Sequence, residues 1–120
     1  MVGRNLTAKR ILLVEDDDLI RDDMVETLRA FGALVTYAAS VTEAMDLAEL
    51  AFDHAFLDVR LTDGDVHPVA LRLRERGVPI TFCSALSRCG PLSSTYPGAS
   101  VLVKPALPHQ LLIAADGGAA

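Results

Sequence analysis

The chain predicts a doubly wound α/β domain built on a five-stranded parallel sheet, and two patterns predict it. Five short apolar runs alternate with stretches of helical period, as expected of a parallel sheet covered on both faces. The polar residues of chemical interest fall just past those runs. Glu15 and Asp16 follow the first, Asp58 the third, Ser84 the fourth and Lys104 the fifth. Ligands of open α/β sheets sit at the carboxyl ends of the strands.

Met1 to Ala8 reads as a loose tail, and Ile11-Leu12-Leu13-Val14 as a strand buried on both faces. Four adjacent acids, Glu15 to Asp18, end that strand. Two like charges ~4 Å apart repel by roughly 4 kcal/mol at an effective dielectric near 20, so the cluster needs water, a helix N-terminus or a cation. Asp17 or Asp18 suits the N-cap of the next helix, which leaves Glu15 and Asp16 unexplained. That helix is expected from about Leu19 to Phe31. Ile20, Met24, Leu28 and Phe31 form its buried stripe, Arg21 and Arg29 lie on its polar side, and Gly32 caps it. Ala33 to Tyr37 gives a second strand. A helix capped by Ser40 or Thr42 is expected through Ala51, with Ala44, Leu47, Ala48 and Ala51 inward.

Ala55-Phe56-Leu57-Asp58 is the third strand, and Leu61 to Asp65 reads as a loop. A helix to about Arg76 follows, with Val66, Val69, Ala70 and Leu73 facing the sheet. Val78 to Cys83 contains the fourth strand. Leu86 to Ala99 holds Gly90-Pro91 and Pro97-Gly98, which leave room for one short turn of a fourth helix. Val101-Leu102-Val103 is the fifth strand. Pro108 to Ala115 forms the last helix, with Leu111, Leu112 and Ala115 inward.

At 120 residues the chain is expected to be a single domain, with a core from about residue 9 to 115. A 51% hydrophobic and 22% charged composition is that of a globular protein. A net charge of −5 and the lack of a basic face, Arg72, Arg74 and Arg76 notwithstanding, argue against nucleic-acid binding. The absence of a bilayer-length apolar segment and of a secretion signal points to a cytoplasmic protein with no membrane partner. Cys83 and Cys89 are then free thiols. His54, His67 and His109 lack metal-ligand spacing and read as structural or surface residues.

Four segments together give the chain its resemblance to a known family. They are Ile11-Leu12-Leu13-Val14-Glu15-Asp16-Asp17, Phe56-Leu57-Asp58-Val59-Arg60-Leu61-Thr62-Asp63-Gly64, Ser84-Ala85 and Val103-Lys104-Pro105. In this order and spacing they resemble a bacterial response-regulator receiver domain, over roughly Lys9 to Ala115. The resemblance implies the flavodoxin-like (CheY-like) strand order 2-1-3-4-5. It implies Asp58 as the phosphoacceptor of a two-component phosphorelay, with Glu15, Asp16, Asp58 and the backbone carbonyl of Arg60 around Mg²⁺, or Mn²⁺ as a substitute. Ser84 and Lys104 would contact the phosphoryl group, and the Lys104–Pro105 peptide would be cis. The donor would be a sensor histidine kinase or a histidine phosphotransfer protein. Output would be contact with a downstream protein, or drainage of phosphate from a shared kinase. The chain would be a signalling module and not an enzyme, and its oligomeric state is left open.

The chain departs from that pattern at Val101, where receivers carry Phe or Tyr, and at Ala106, where a Phe often follows the proline. Phe82-Cys83-Ser84-Ala85-Leu86 resembles the Phe-Ala-Thr-Gly stretch of a group of stand-alone receivers that also lack the aromatic. Two alternatives stand beside this reading. One is a degenerate receiver that binds partners without phosphorylation. The other is a metal-dependent phosphohydrolase, which typically needs a second acid where this chain has Arg60.

Overall fold

The computed structural model describes residues 5–61, 63–84 and 98–116, Arg60 by its backbone only. In chain order the elements are β1 (Arg10–Val14), α1 (Asp18–Ala30), β2 (Leu34–Ala38), α2 (Val41–Leu47), β3 (His54–Asp58), β4 (Arg60–Leu61), β5 (Gly64–Asp65), α3 (His67–Glu75), β6 (Ile80–Ser84), β7 (Ser100–Val103) and α4 (Pro108–Ala115). The five long strands are all parallel and lie in the order β2-β1-β3-β6-β7, which is 2-1-3-4-5 counted over those strands. This is the flavodoxin-like fold. Most of the irregular fourth-helix region, with Leu86 and Cys89, falls outside the described residues.

Alternation along the strands builds two cores. Leu12, Val14, Ala55, Leu57 and Phe82 pack with Ala44 of α2 and with Val69, Ala70 and Leu73 of α3. Ile11, Leu13, Phe56 and Cys83 pack on the other face with Met24, Val25 and Leu28 of α1 and with Leu111, Ala114 and Ala115 of α4. The register matters more than the layers. Val14 pairs with Leu57, Asp58 with Cys83 and Ser84 with Val103. The strand ends are therefore level, and Glu15 and Lys104, just past β1 and β7, come to the same edge as Asp58 and Ser84, the last residues of β3 and β6.

Several expectations are corrected. The amino-terminal segment is docked from Asn5 on. Leu6 is buried in the α1/α4 core, its N–H donates to Phe31 O at 2.8 Å, and Ala8 N–H donates to Gly32 O at 3.1 Å. A Cβ on Gly32 (φ +99°) would meet Thr7 backbone at 3.0 Å, so this close approach needs glycine. Helix α1 begins at Asp18 and ends at Ala30, and Val25 joins its buried stripe while Ile20 is more than a third exposed. Helix α2 stops at Leu47, because the chain must turn back for Asp53 to pair with Arg10; Ala51 is exposed. The expected loop at 61–65 is a two-stranded antiparallel hairpin, with Arg60 paired to Asp65 and Leu61 to Gly64. In α4, Leu112 is half-buried against the α1/α4 core, and Ala114 joins Leu111 and Ala115 on the inward face.

His54 is structural. It is buried at the amino end of β3, with Nε2 2.7 Å from Thr81 Oγ1, which lies 2.7 Å from Ser100 Oγ. This polar line ties β3, β6 and β7 together. Burial, aided by the charge of Lys9, lowers the His54 pKa from 6.5 to about 4. The unfolded chain takes up that proton first, so stability is lost as pH falls from about 6.5 through about 4. His54→Gln does not titrate and can still bond Thr81. It should lose roughly 2 kcal/mol less stability than the wild type between about pH 7 and about pH 4.5, measured by urea unfolding.

Candidate functional site

The loop after β1 is built by its own side chains and by α1. Asp17 is the N-cap of α1, and its Oδ1 accepts the Ile20 N–H at 3.0 Å. Glu15 folds back so that Oε2 accepts the Asp17 N–H at 3.1 Å. Arg21, expected on the polar side of α1, reaches over this loop instead. It donates to the Glu15 carbonyl at 3.2 Å and to Asp18 Oδ1 at 2.7 Å, and it sits over the Tyr37 ring at 5.5 Å from the centroid. The Asp18/Arg21 spacing was a legible i,i+3 signal. The carbonyl contact was not, since it depends on where the strand delivers the loop.

At the common edge, Lys104 Nζ lies 2.8 Å from Glu15 Oε1 and 3.1 Å from Asp58 Oδ1. Glu15 is 1% exposed and Asp58 7%, so both carboxylates are largely cut off from water. Desolvation pushes Glu15 up to about 7, against the pull of Lys104 and the Asp17 N–H, and the nearby Asp58 adds to the rise. Burial would lower the Lys104 ammonium, but Glu15 and Asp58 outweigh it and hold it above its ordinary value. Asp16, half-buried, completes the group: one carboxylate oxygen each from Glu15, Asp16 and Asp58 lie within 4.8 Å of one another. Oxygen donors at that spacing suit a hard dication such as Mg²⁺. The donor set fits for a second reason. Among the described residues, Glu15 Oε1 is buried with no hydrogen-bond donor beyond the Lys104 ion pair, which leaves an acceptor site on it.

The remaining expected residues lie around this group. Ser84 is buried at the end of β6, one position beyond Cys83, the register partner of Asp58. Its carbonyl accepts the Lys104 N–H at 2.9 Å, which sets the start of the Lys104 turn, and the Lys104–Pro105 peptide is cis. Arg60 opens β4 two residues past Asp58. Val101 is half-buried and packs against the α2/α3 core. Burial pushes the free Cys83 thiol up to about 12, so this neighbour of the site stays protonated and unreactive. Sequence reasoning left out Asp63, which it placed in a loop. Its carboxylate accepts the Val41 N–H at 2.9 Å and the Thr42 N–H and Oγ1–H at 3.3 Å each.

No family model matches the chain. A response-regulator receiver protein from Anaeromyxobacter is 35% identical over 81 residues, which is 66% of this chain and 34% of the relative. The chain thus spans about a third of that relative's length. A solved response-regulator receiver protein from Sinorhizobium medicae is 30% identical, with a TM-score of 0.83 over 94% of this chain and 95% of that one. The chain belongs to the response-regulator receiver family. The receiver domain of a sensor histidine kinase from Pseudomonas aeruginosa is 27% identical, with a TM-score of 0.78 over 92% of this receiver and 99% of that chain. That structure carries a magnesium ion coordinated in its active-site cleft. Among the described residues, no helix of the receiver is long and apolar enough to cross a membrane.

Because the folded receiver holds Glu15 at a raised pKa, this group's stabilising effect is full below about 4.5 and is lost as pH rises through about 7. Glu15→Gln keeps the shape and cannot ionise. In metal-free buffer it should be more stable than the wild type by about 1–2 kcal/mol near pH 8, with the difference vanishing near pH 4.5. Chemical denaturation at both pH values checks this, and a variant less stable at the higher pH contradicts it.

Proposed function

We propose that Asp58 is the phosphoacceptor of this receiver, taking a phosphoryl group from the phosphohistidine of a sensor histidine kinase or a histidine phosphotransfer protein. The observation that carries the reading is the Lys104 ammonium 3.1 Å from Asp58 Oδ1, beside a cluster of three carboxylates. An Asp58 carboxylate oxygen attacks phosphorus. The O–P bond forms, the P–N bond to the donor histidine breaks, and the ring nitrogen keeps the electron pair. Lys104 offsets charge on the transferred oxygens, and the Ser84 hydroxyl donates to one of them. Glu15, Asp16, Asp58 and the Arg60 carbonyl would hold Mg²⁺, or Mn²⁺ in its place, and the ion when bound would neutralise part of the phosphoryl charge.

Beside this edge lies a largely apolar cleft lined by Ile20, Met24, Cys83, Pro105 and Ala106, with Asp23 and Lys104 as its charged members. It supports docking of the donor protein next to Asp58. Output then goes through a protein partner that reads the altered surface, or through withdrawal of phosphate from a kinase shared with another receiver.

Incubation with acetyl phosphate and Mg²⁺, followed by intact-mass spectrometry, tests the reading. One phosphoryl adduct is expected in the wild type and none in Asp58→Asn. Lys104→Ala should slow adduct formation by about tenfold or more, given the worth of one positioned cation in such transfers. Continuous hydrolysis of varied phosphomonoesters would instead make the chain a phosphohydrolase. Neither adduct nor turnover would make it a binding module that works without phosphorylation.

A further inference from the structure

We propose that Asp63 is a positioning residue that ties the loop following Asp58 to the amino end of α2 and thereby sets how tightly the site binds Mg²⁺. The proposal rests on the phosphoacceptor reading above, in which the Arg60 carbonyl is a metal ligand.

Asp63 sits at the tip of the β4/β5 hairpin, and Arg60 is at its base. The base is fixed by backbone bonds: Val66 N–H donates to Val59 O at 3.3 Å, and Val59 N–H to Cys83 O at 3.4 Å. The His67 N–H donates to Asp65 Oδ1 at 2.8 Å, which closes the exit into α3. The tip is held by Asp63, through Val41 N–H and the two Thr42 donors. These contacts span more than twenty residues of sequence and join two separate loops. Bonding from the Val41 N–H, followed by that from Thr42, also lowers the Asp63 pKa, as expected for a carboxylate at a helix N-terminus.

Helix α2 does not depend on Asp63 for its own cap. Ser40 Oγ accepts the Glu43 N–H at 3.1 Å, and Glu43 Oε1 accepts the Ala39 N–H at 3.0 Å. The start of α2 therefore has a local cap from Ser40 and Glu43 and a remote tie from Asp63. Removing the local cap weakens the helix and leaves the hairpin tied. Removing the tie leaves the helix capped and lets the hairpin swing about its base, where the Arg60 peptide is. Ligand orientation by an outer partner is a large share of metal affinity.

The test is a Mg²⁺ titration of the full chain, followed by amide NMR, in the wild type, Asp63→Ala, Asp63→Asn, Ser40→Ala and Asp58→Asn. In the wild type, the Val41 and Thr42 amide resonances should move with Mg²⁺ along with those near Asp58. Asp63→Ala should weaken Mg²⁺ by about tenfold and abolish the Val41 and Thr42 response. Asp63→Asn keeps one acceptor oxygen and should fall between. Ser40→Ala should lower the unfolding midpoint and leave Mg²⁺ affinity unchanged. Equal Mg²⁺ affinity in the wild type and Asp63→Ala, or equal weakening in Ser40→Ala, would overturn the role of Asp63 alone. A wild type with no saturable Mg²⁺ response, or one that persists in Asp58→Asn, would overturn the underlying phosphoacceptor reading.

Discussion

Carboxylates gathered at a nearly dry sheet edge need positive charge, and the rest of this structure is arranged around meeting that need. At an effective dielectric near 20, two such charges ~4 Å apart repel by roughly 4 kcal/mol. Lys104 answers part of the demand by lying between Glu15 and Asp58. The raised Glu15 pKa marks what is left over. A receiver that satisfied its acids completely would have no use for a dication. One that satisfied none would not fold with Glu15 buried. Among the described residues, Lys104 leaves the edge between those limits.

The parallel sheet makes this convergence possible because its register levels the strand ends. Residues separated by tens of positions in sequence arrive at one place without any contact among themselves being required first. The helices then fix the loops the strands deliver. Arg21 of α1 grips the carbonyl of Glu15, and the first turn of α2 grips Asp63. These two loops are thus each held by a strand on one side and a helix on the other, which fixes the side chains they carry.

What the sequence made legible follows from burial. Strands covered on both faces are largely apolar, so β1, β3 and β6 stand out as runs, and Glu15, Asp58 and Ser84 stand out at their carboxyl ends. Lys104 was legible through the proline beside it and its place after β7. Leu6, Arg21 and Asp63 were not, because their partners lie on other elements: Phe31 for Leu6, the Glu15 carbonyl for Arg21, and α2 for Asp63. Local periodicity gives no warning of a long-range hydrogen bond. The hairpin at Arg60 to Asp65 escaped for a related reason: two-residue strands are too short to show alternation.

The docked amino-terminal segment has a practical side. Leu6 packs into the α1/α4 core, and the N–H groups of Leu6 and Ala8 donate to the Phe31 and Gly32 carbonyls just past α1, where Thr7 rests against Gly32. Anyone shortening this chain or grafting it onto another protein should set the cut ahead of Asn5, well before the first strand, because trimming to Arg10 would unseal a hydrophobic layer on the side of the sheet that carries Phe56.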